Sequence, residues 1–277
     1  MEKVNWLIEN FAGDHYVGEM KKALEDNNIG YKIVKYCPFA FDKWMYDKFY
    51  LSTECVISWG SLNLICQIQK HTKWIPGYFC NFDNLKCSTY YNYFGEYLFN
   101  QDYFFITVGE FERKKDHLFE IFGIHDCIFV RPDNGKKSFV GHIRDKNGQV
   151  DKERFLLEDF CEPSDFMVVA SPKNIDSEYR MIISERKVIT GSKYKVKGSL
   201  KIDSAIPQFV QEYTEKICQK EWQPDPMYVM DIAVIDNVPS LLELNCVSCA
   251  GFYACDYNKI VLEMSRLALS EWNDFYG

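Results

Sequence analysis

Long apolar runs are absent from the 277-residue sequence. No stretch approaches the ~18 consecutive apolar residues that a membrane-spanning helix requires, and the most lipid-like stretch, residues 166–170, is typical of a buried strand. Residues 1–6 also lack the apolar core of a signal peptide. We therefore expect no association with a membrane and a cytoplasmic location.

An excess of positive charge is absent as well. The chain has 40 acidic and 32 basic residues and a formal net charge of -8. This balance argues against a non-specific nucleic-acid binder, because such proteins need a basic surface, but it leaves room for a local basic pocket. The cysteines number 11, an odd count, which fits free thiols in a reducing cytoplasm.

Several motifs of nucleotide-binding and catalytic sites are missing. The glycines at positions 13, 18 and 30 do not form a dinucleotide-binding fingerprint, and the Gly-x-x-x-x-Gly spacing of Gly13 and Gly18 is not followed by the Lys and Ser or Thr of a phosphate loop. The five histidines are scattered without a His-x-x-x-His pair, and no Gly-x-Ser-x-Gly elbow occurs. Each histidine is therefore interpreted as a structural or surface residue.

Strands and helices alternate in the first part of the chain. Val17, Met20 and Leu24 recur at helical spacing, and apolar strands flank them. The predicted order is strand 4–8, helix 14–28, strand 31–36, strand 55–58 and helix 62–71. This order predicts a small α/β layer with a parallel sheet, and Pro76-Gly77 marks a turn and a candidate domain boundary.

The pattern changes to strands and hairpins after an aromatic-rich segment with short helices at 90–98 and 116–122. The predicted strands are 127–130, 138–141, 165–170, 179–184 and 188–194, and the amphipathic helices are 207–222 and 258–272. The fold class predicted for the whole chain is therefore mixed, with an α/β layer followed by an α+β remainder.

The segment 228–245 is typical of a β-hairpin whose apolar strands are interrupted by Asp231, Glu243 and Asn245. Burying carboxylates costs several kcal/mol unless a cation or donors compensate. A three-residue loop at 236–238 would pair Asp231 with Glu243 and place Asn245 on the same face, whereas a loop of even length would separate them. Three oxygen-bearing side chains on one face suit Mg²⁺. The alternative is a solvated polar face.

Five basic residues lie within or beside predicted strands, where a surface charge is not expected. They are Arg131, Lys137, Arg180, Lys193 and Lys195. Arginine and lysine donate charge-assisted hydrogen bonds to phosphate oxygens, so these residues are candidate partners of a nucleotide. A solvated strand end is the alternative, stronger for the lysines, which are rarely buried, than for Arg180.

Cys246 and Cys249 form a Cys-x-x-Cys motif. This motif occurs in redox and zinc sites. A zinc site requires further ligands, however, and the only candidates are Cys80 and Cys87, which are distant in the sequence. We favour the interpretation that residues 245–253 form a substrate-side loop whose cysteines are small wall residues.

These segments together resemble ATP-grasp proteins, and more closely a small phage and bacterial clade in which Arg-Pro replaces Lys-Pro. Residues 127–141 resemble the first nucleotide-binding hairpin of that fold, and residues 168–180 resemble its hinge strand followed by a Glu-Tyr-Arg strand. Residues 188–194 resemble the next strand. Asp231 and Glu243-Leu-Asn245 resemble the metal-binding pair and its asparagine. The resemblance covers most of the chain, residues 55–277.

The resemblance implies an ATP-grasp fold and a domain order. An N-terminal α/β layer would cover 1–75, and an ATP-grasp region would cover 76–277. Within that region, a lid subdomain at 126–170 and a metal-binding subdomain at 171–277 would clamp ATP.

The resemblance also implies residue roles, with ATP and Mg²⁺ (or Mn²⁺) as cofactors. Asp231, Glu243 and Asn245 would hold the metal. Arg180 would contact the γ-phosphate and Arg131 the α/β-phosphates, both as catalytic groups. The other nucleotide contacts would come from Lys137, Lys193 and the backbone of Val168, Val169 and Ala170 at the adenine edge.

The implied activity is that of a carboxylate-amine ligase. A substrate carboxylate attacks the γ-phosphate of ATP to give an acyl phosphate, and an amine then displaces phosphate. Such chemistry needs positioning and charge neutralisation, not a protein nucleophile. An ATP-dependent small-molecule kinase and a catalytically silent nucleotide-binding module are the alternatives. The acceptor (an amino acid, a peptide, a modified base or another macromolecule) and the oligomeric state, with a homodimer among the options, stay open.

Overall fold

The computed structural model describes residues 4–10, 15–35, 49–136, 138–146 and 161–277. The chain forms two compact units. The first combines residues 1–81, 177–232 and 243–277, and the second combines 82–176 and 233–242. Each unit is therefore assembled from segments that are distant in the sequence. The predicted division at residue 75 follows chain order instead, and it stays a prediction.

Strands and helices occur in both units. The strands are β1 (Val4–Asn10), β2 (Tyr31–Lys35), β3 (Cys55–Trp59), β4 (Ile75–Gly77), β5 (Tyr103–Thr107), β6 (Cys127–Pro132), β7 (His142–Asp145), β8 (Phe166–Ala170), β9 (Ser177–Ser184), β10 (Lys187–Val196), β11 (Ser199–Asp203), β12 (Met227–Ile235) and β13 (Val238–Cys246). The α-helices are α1 (His15–Asp26), α2 (Leu62–His71), α3 (Cys87–Phe94), α4 (Val108–Phe122), α5 (Gln208–Cys218) and α6 (Tyr257–Tyr276).

The first unit contains a parallel sheet in the order β2-β1-β3-β4. Helix α1 connects β1 to β2, and α2 connects β3 to β4, so the predicted α/β layer is confirmed. Helix α2 begins after Ser61, whose side chain accepts a hydrogen bond from the Leu64 N–H. The core of this unit includes Trp6, Met20 and Met264, all fully buried. Apolar side chains at strand and helix spacing therefore close this layer against α6.

A second sheet has the strand order β11-β10-β9-β12-β13. Strands β9, β10 and β11 are joined by antiparallel pairing. Strand β11 was not predicted, although Leu200 and Ile202 alternate with polar residues as in a strand; all five of its residues are exposed. This sheet places β9 and β12 side by side, and these two strands carry the opposite charges described below.

The second unit contains an antiparallel sheet in the order β5-β8-β6-β7. Its core includes Phe111, Leu118 and Met167. The strand predicted at 138–141 is wrong, because the side chain of Asn134 bonds to Ser138 and holds a turn there. The strand that pairs with β6 begins only at residue 142. None of the helices in the described ranges combines the length and apolar character needed to cross a membrane.

Candidate active site

The hairpin that carries the predicted metal ligands has a two-residue turn. Strand β12 ends at Ile235 and β13 begins at Val238. Asp236 and Asn237 have φ values of 50° and 62°, which is the left-handed pair of a type I′ turn. The predicted three-residue loop is therefore wrong. Asp and Asn tolerate positive φ better than most residues, and this turn type suits the twist of the strands.

The three predicted ligands nevertheless converge. A regular ladder from this turn would pair Asp231 with Leu242 and place Asn245 on the opposite face. Instead, Asn245 Nδ2 donates to Asp231 Oδ2 and to Glu243 Oε1, each at 3.0 Å. These bonds bring the two carboxylates and the amide together despite the two-residue turn.

Arg180 reaches the same cluster from β9. Its Nε donates to Asp231 Oδ1 at 2.9 Å and its Nη2 to Asp231 Oδ2 at 2.8 Å, and its Nη1 donates to the Gly251 carbonyl at 2.7 Å. Both side chains of the pair are buried. Burial opposes the charged guanidinium, but the charge and hydrogen bonds of Asp231 outweigh it and raise the pKa of Arg180. The arginine is therefore a fixed positive charge.

Two tyrosine rings hold the Arg180 guanidinium. Its central carbon lies 5.4 Å from the ring centroid of Tyr194 and 5.1 Å from that of Tyr253. The two rings stack with centroids 4.9 Å apart. The Tyr194 hydroxyl donates to Glu178 Oε2 at 2.6 Å, and burial, together with the charges of Asp231 and Glu178, raises the pKa of Tyr194.

Tyr194, Tyr253 and Glu178 are not among the residues predicted for the site from the sequence. Glu178 lies two residues before Arg180, so the period of a strand places both on one face, and this signal could have found it. Tyr253 lies beyond the hairpin in the loop, and only the fold brings its ring to β9. The predicted substrate-side loop thus contributes Gly251 and Tyr253 to the cluster.

Acidic and basic side chains meet in this cluster. Three carboxylates lie there, those of Glu178, Asp231 and Glu243. The basic groups beside them are Arg180 and Lys195, whose Nζ lies 3.5 Å from Glu178 Oε1 and whose side chain is 40% exposed. A cation bound beside these carboxylates would be attracted by their negative charge.

The ligand atoms of the cluster suit a hard cation. Asn245 Oδ1 is buried and has no hydrogen-bond partner among the described residues, so it is open to a metal. Carboxylate and amide oxygens are the ligands that Mg²⁺ prefers. The oxygens of Asp231 already accept hydrogen bonds from Arg180, so a cation there would share them with the guanidinium.

Lys193 does not join this cluster through any described contact. Its Nζ lies 3.0 Å from Asp203 Oδ2 on β11. Its predicted contact with the nucleotide stays a prediction. Lys137 lies outside the described residues.

The other predicted nucleotide contacts lie in the second unit. Arg131 on β6 pairs with Val168 on β8, and its Nη1 donates to the Leu242 carbonyl at 3.3 Å. Val168 and Val169 are paired on one side with β5 and on the other with β6. Ala170, the last residue of β8, is paired with both strands in the same way. The predicted contact of these three residues with the adenine edge stays a prediction.

Solved structures of ATP-grasp enzymes share this fold. D-alanine–D-alanine ligase from Bacillus anthracis superposes with a TM-score of 0.59 at 14% identity, and the match covers 99% of each chain. D-cycloserine synthetase DcsG gives 0.61 at 8% identity and covers 96% of this chain and 99% of the other. ATP-grasp ligase PsnB, complexed with a minimal precursor, gives 0.53 at 10% identity and covers 97% and 100%. At such identities the likeness shows the fold alone.

A sequence family identifies the relationship more closely. No curated protein matches the sequence. The family described as an ATP-grasp domain of the R-two-K clade, family 2, matches residues 112–262, which is more than half of the chain and includes Arg180, Asp231, Glu243 and Asn245. The ATP-grasp fold predicted from the sequence is therefore confirmed, and the chain belongs to family 2 of this clade of ATP-grasp proteins.

Proposed function

We propose that this protein is an ATP- and Mg²⁺-dependent ligase that joins a carboxylate to an amine through an acyl phosphate. The observation that carries this proposal is the buried cluster in which Asn245 bridges Asp231 and Glu243 while Arg180 clamps Asp231. It combines oxygen ligands for a metal with a fixed positive charge for a phosphate. Family membership and the fold shared with D-alanine–D-alanine ligase support the same chemistry.

Glu243, Asn245 and Asp231 would hold the metal through their oxygens. The amide nitrogen of Asn245 donates to the two carboxylates, so its Oδ1, which has no partner among the described residues, is available as a metal ligand. Bound there, Mg²⁺ would neutralise phosphate oxygens of ATP and so make the γ-phosphate a better electrophile.

Arg180 would stabilise charge on the phosphoryl group as it moves to the substrate carboxylate. A guanidinium has five N–H donors, and the described bonds to Asp231 and Gly251 use three of them. Because Asp231 and the two tyrosine rings fix its plane, the arginine would not need to reorganise during transfer.

The proposal includes three further phosphate contacts that the family resemblance implies, from Arg131, Lys137 and Lys193. Arg131 stands where a lysine is usual in ATP-grasp proteins, so it would present a two-pronged donor in place of a point charge. The domain division at 75, with a lid at 126–170 and a metal-binding part at 171–277, belongs to the same proposal.

Hydroxylamine trapping tests this function without knowledge of the amine. The purified protein is incubated with Mg²⁺, ATP, pools of amino acids or other carboxylates, and hydroxylamine, which attacks an acyl phosphate to give a hydroxamate. A ligase yields hydroxamate and ADP in equal amounts, and only with the right carboxylate pool. ADP formed together with a phosphorylated product and no hydroxamate would instead identify a kinase.

A further inference from the structure

Three cysteine thiols meet in the first compact unit. The Sγ atoms of Cys80, Cys246 and Cys249 all lie within 4.8 Å of one another. Cys80 and Cys246 are buried and Cys249 is half-buried. The proposed ligase chemistry uses none of them, because it needs no protein nucleophile. Zinc was disfavoured from the sequence because Cys80 is distant along the chain, and the fold removes that objection.

Hydrogen bonds on both sides hold this thiol group together. The Phe79 N–H, next to Cys80, donates to Ser248 Oγ at 2.9 Å. The Phe79 carbonyl accepts from Cys246 Sγ at 3.2 Å, and the Cys246 carbonyl accepts from Cys249 Sγ at 3.9 Å. The backbone next to each sulfur is therefore fixed, so the three sulfurs are positioned before any ligand binds.

The spacing of the sulfurs suits a metal ion better than a disulfide. In a tetrahedral zinc site with Zn–S bonds of ~2.3 Å, the sulfurs lie roughly 3.8 Å apart. Sulfurs within 4.8 Å of one another reach that geometry with a movement of about 1 Å. A disulfide needs an S–S distance of ~2.05 Å and would join only two of the three thiols.

We propose that Cys80, Cys246 and Cys249 bind one Zn²⁺ ion as thiolates, with a water molecule in the fourth position. Each thiol releases its proton to solvent as its sulfur binds the metal. Because Cys246 directly follows Asn245 in β13, the ion would also tie the end of the metal-binding strand to the segment at residues 79–81.

A redox-active dithiol is the alternative for a Cys-x-x-Cys motif. Reactive cysteines of that kind are partly exposed and often lie at a helix N-terminus, where the thiolate is stabilised. Cys246 instead ends a β-strand and is 5% exposed. An attacking disulfide would not reach its sulfur, whereas a small metal ion enters past the half-buried Cys249.

Metal titration of the full chain tests the proposal. The protein is purified with a reductant, stripped with a chelator and checked for folding by circular dichroism. Cobalt is then added to detect sulfur-to-cobalt charge-transfer absorption, and Zn²⁺ affinity is measured against a chromophoric chelator. The same measurements are made on Cys249→Ser and on Cys127→Ser, a matched control at another half-buried cysteine outside the group. Glu243→Gln separates this site from the carboxylate cluster.

We expect the wild-type chain to bind one zinc ion and to show the thiolate absorption with cobalt. Cys249→Ser should lose at least about 100-fold in zinc affinity, because a lost ligand exceeds the effect of a lost supporting contact, and Cys127→Ser and Glu243→Gln should bind zinc as the wild type does. Cobalt binding without thiolate absorption, or equal zinc affinity in wild type and Cys249→Ser, would overturn the proposal. So would an internal disulfide that forms in place of zinc binding. These outcomes do not depend on ATP turnover, so they can fail separately from the proposed ligase function.

Discussion

The residue pair Arg180 and Asp231 joins two opposite charges in the protein interior. The exposed fractions of their side chains are 10% and 0%. Removing one member of a buried pair leaves the other charge without compensation, which costs about 3–5 kcal/mol. We therefore expect Arg180→Ala to lower the free energy of unfolding by about that amount, as measured by urea denaturation, so loss of activity in this variant would not by itself prove a catalytic role.

Arg180→Lys is the informative companion variant. Lysine keeps the positive charge but not the two-pronged contact, so it should recover much of the stability and little of the activity. Equal stability of Arg180→Ala and the wild type would show that the described pair contributes nothing to folding.

Some residues of the candidate site could be predicted from a sequence pattern and others could not. Asp231, Glu243 and Asn245 could be found because they interrupt apolar strands, and Arg180 because it precedes one. Tyr253 could not, since its ring reaches its partners only after segments far apart in the chain have packed together. Local patterns carry no information about such contacts.

At the scale of elements, the hairpin turn joins the two strands that carry the proposed metal ligands. Asn237 has a φ of 62°, a conformation that costs a residue other than Gly, Asn or Asp about 1–2 kcal/mol. We expect Asn237→Val to lose about that much unfolding free energy, whereas Asn237→Gly should keep or raise it. Denaturation of the two variants side by side measures this, and equal stability would contradict the type I′ turn.

The elements themselves could be predicted where their periodicity was strong. The α/β layer of β1 to β3 with α1 and α2 followed from apolar spacing and was correct. Strand β11 was missed although Leu200 and Ile202 alternate with polar residues, and the turn length was wrong because Asp236-Asn237 suits both two-residue and three-residue loops. The predicted ligands meet despite the shorter turn, which no sequence pattern indicated.

At the scale of the whole molecule, the order of weak motifs was more informative than any one of them. The family match over residues 112–262 confirms the ATP-grasp fold, although the three enzymes superposed above share only 14% identity or less with this chain. The compact units could not be predicted, because each combines discontinuous segments.

The central claim is that the cluster of Asp231, Glu243 and Asn245 binds the metal of a metal–nucleotide complex. The most direct test is the thermal unfolding of the wild type, of Glu243→Gln, and of Glu110→Gln as a half-buried control in α4, each with ATP in the presence and absence of Mg²⁺. A ligand at 100 times its Kd stabilises a protein by about 2.7 kcal/mol. We expect Mg²⁺ to increase the stabilisation by ATP in the wild type and in Glu110→Gln, and this increase to disappear in Glu243→Gln. An equal Mg²⁺-dependent increase in all three proteins would contradict the account.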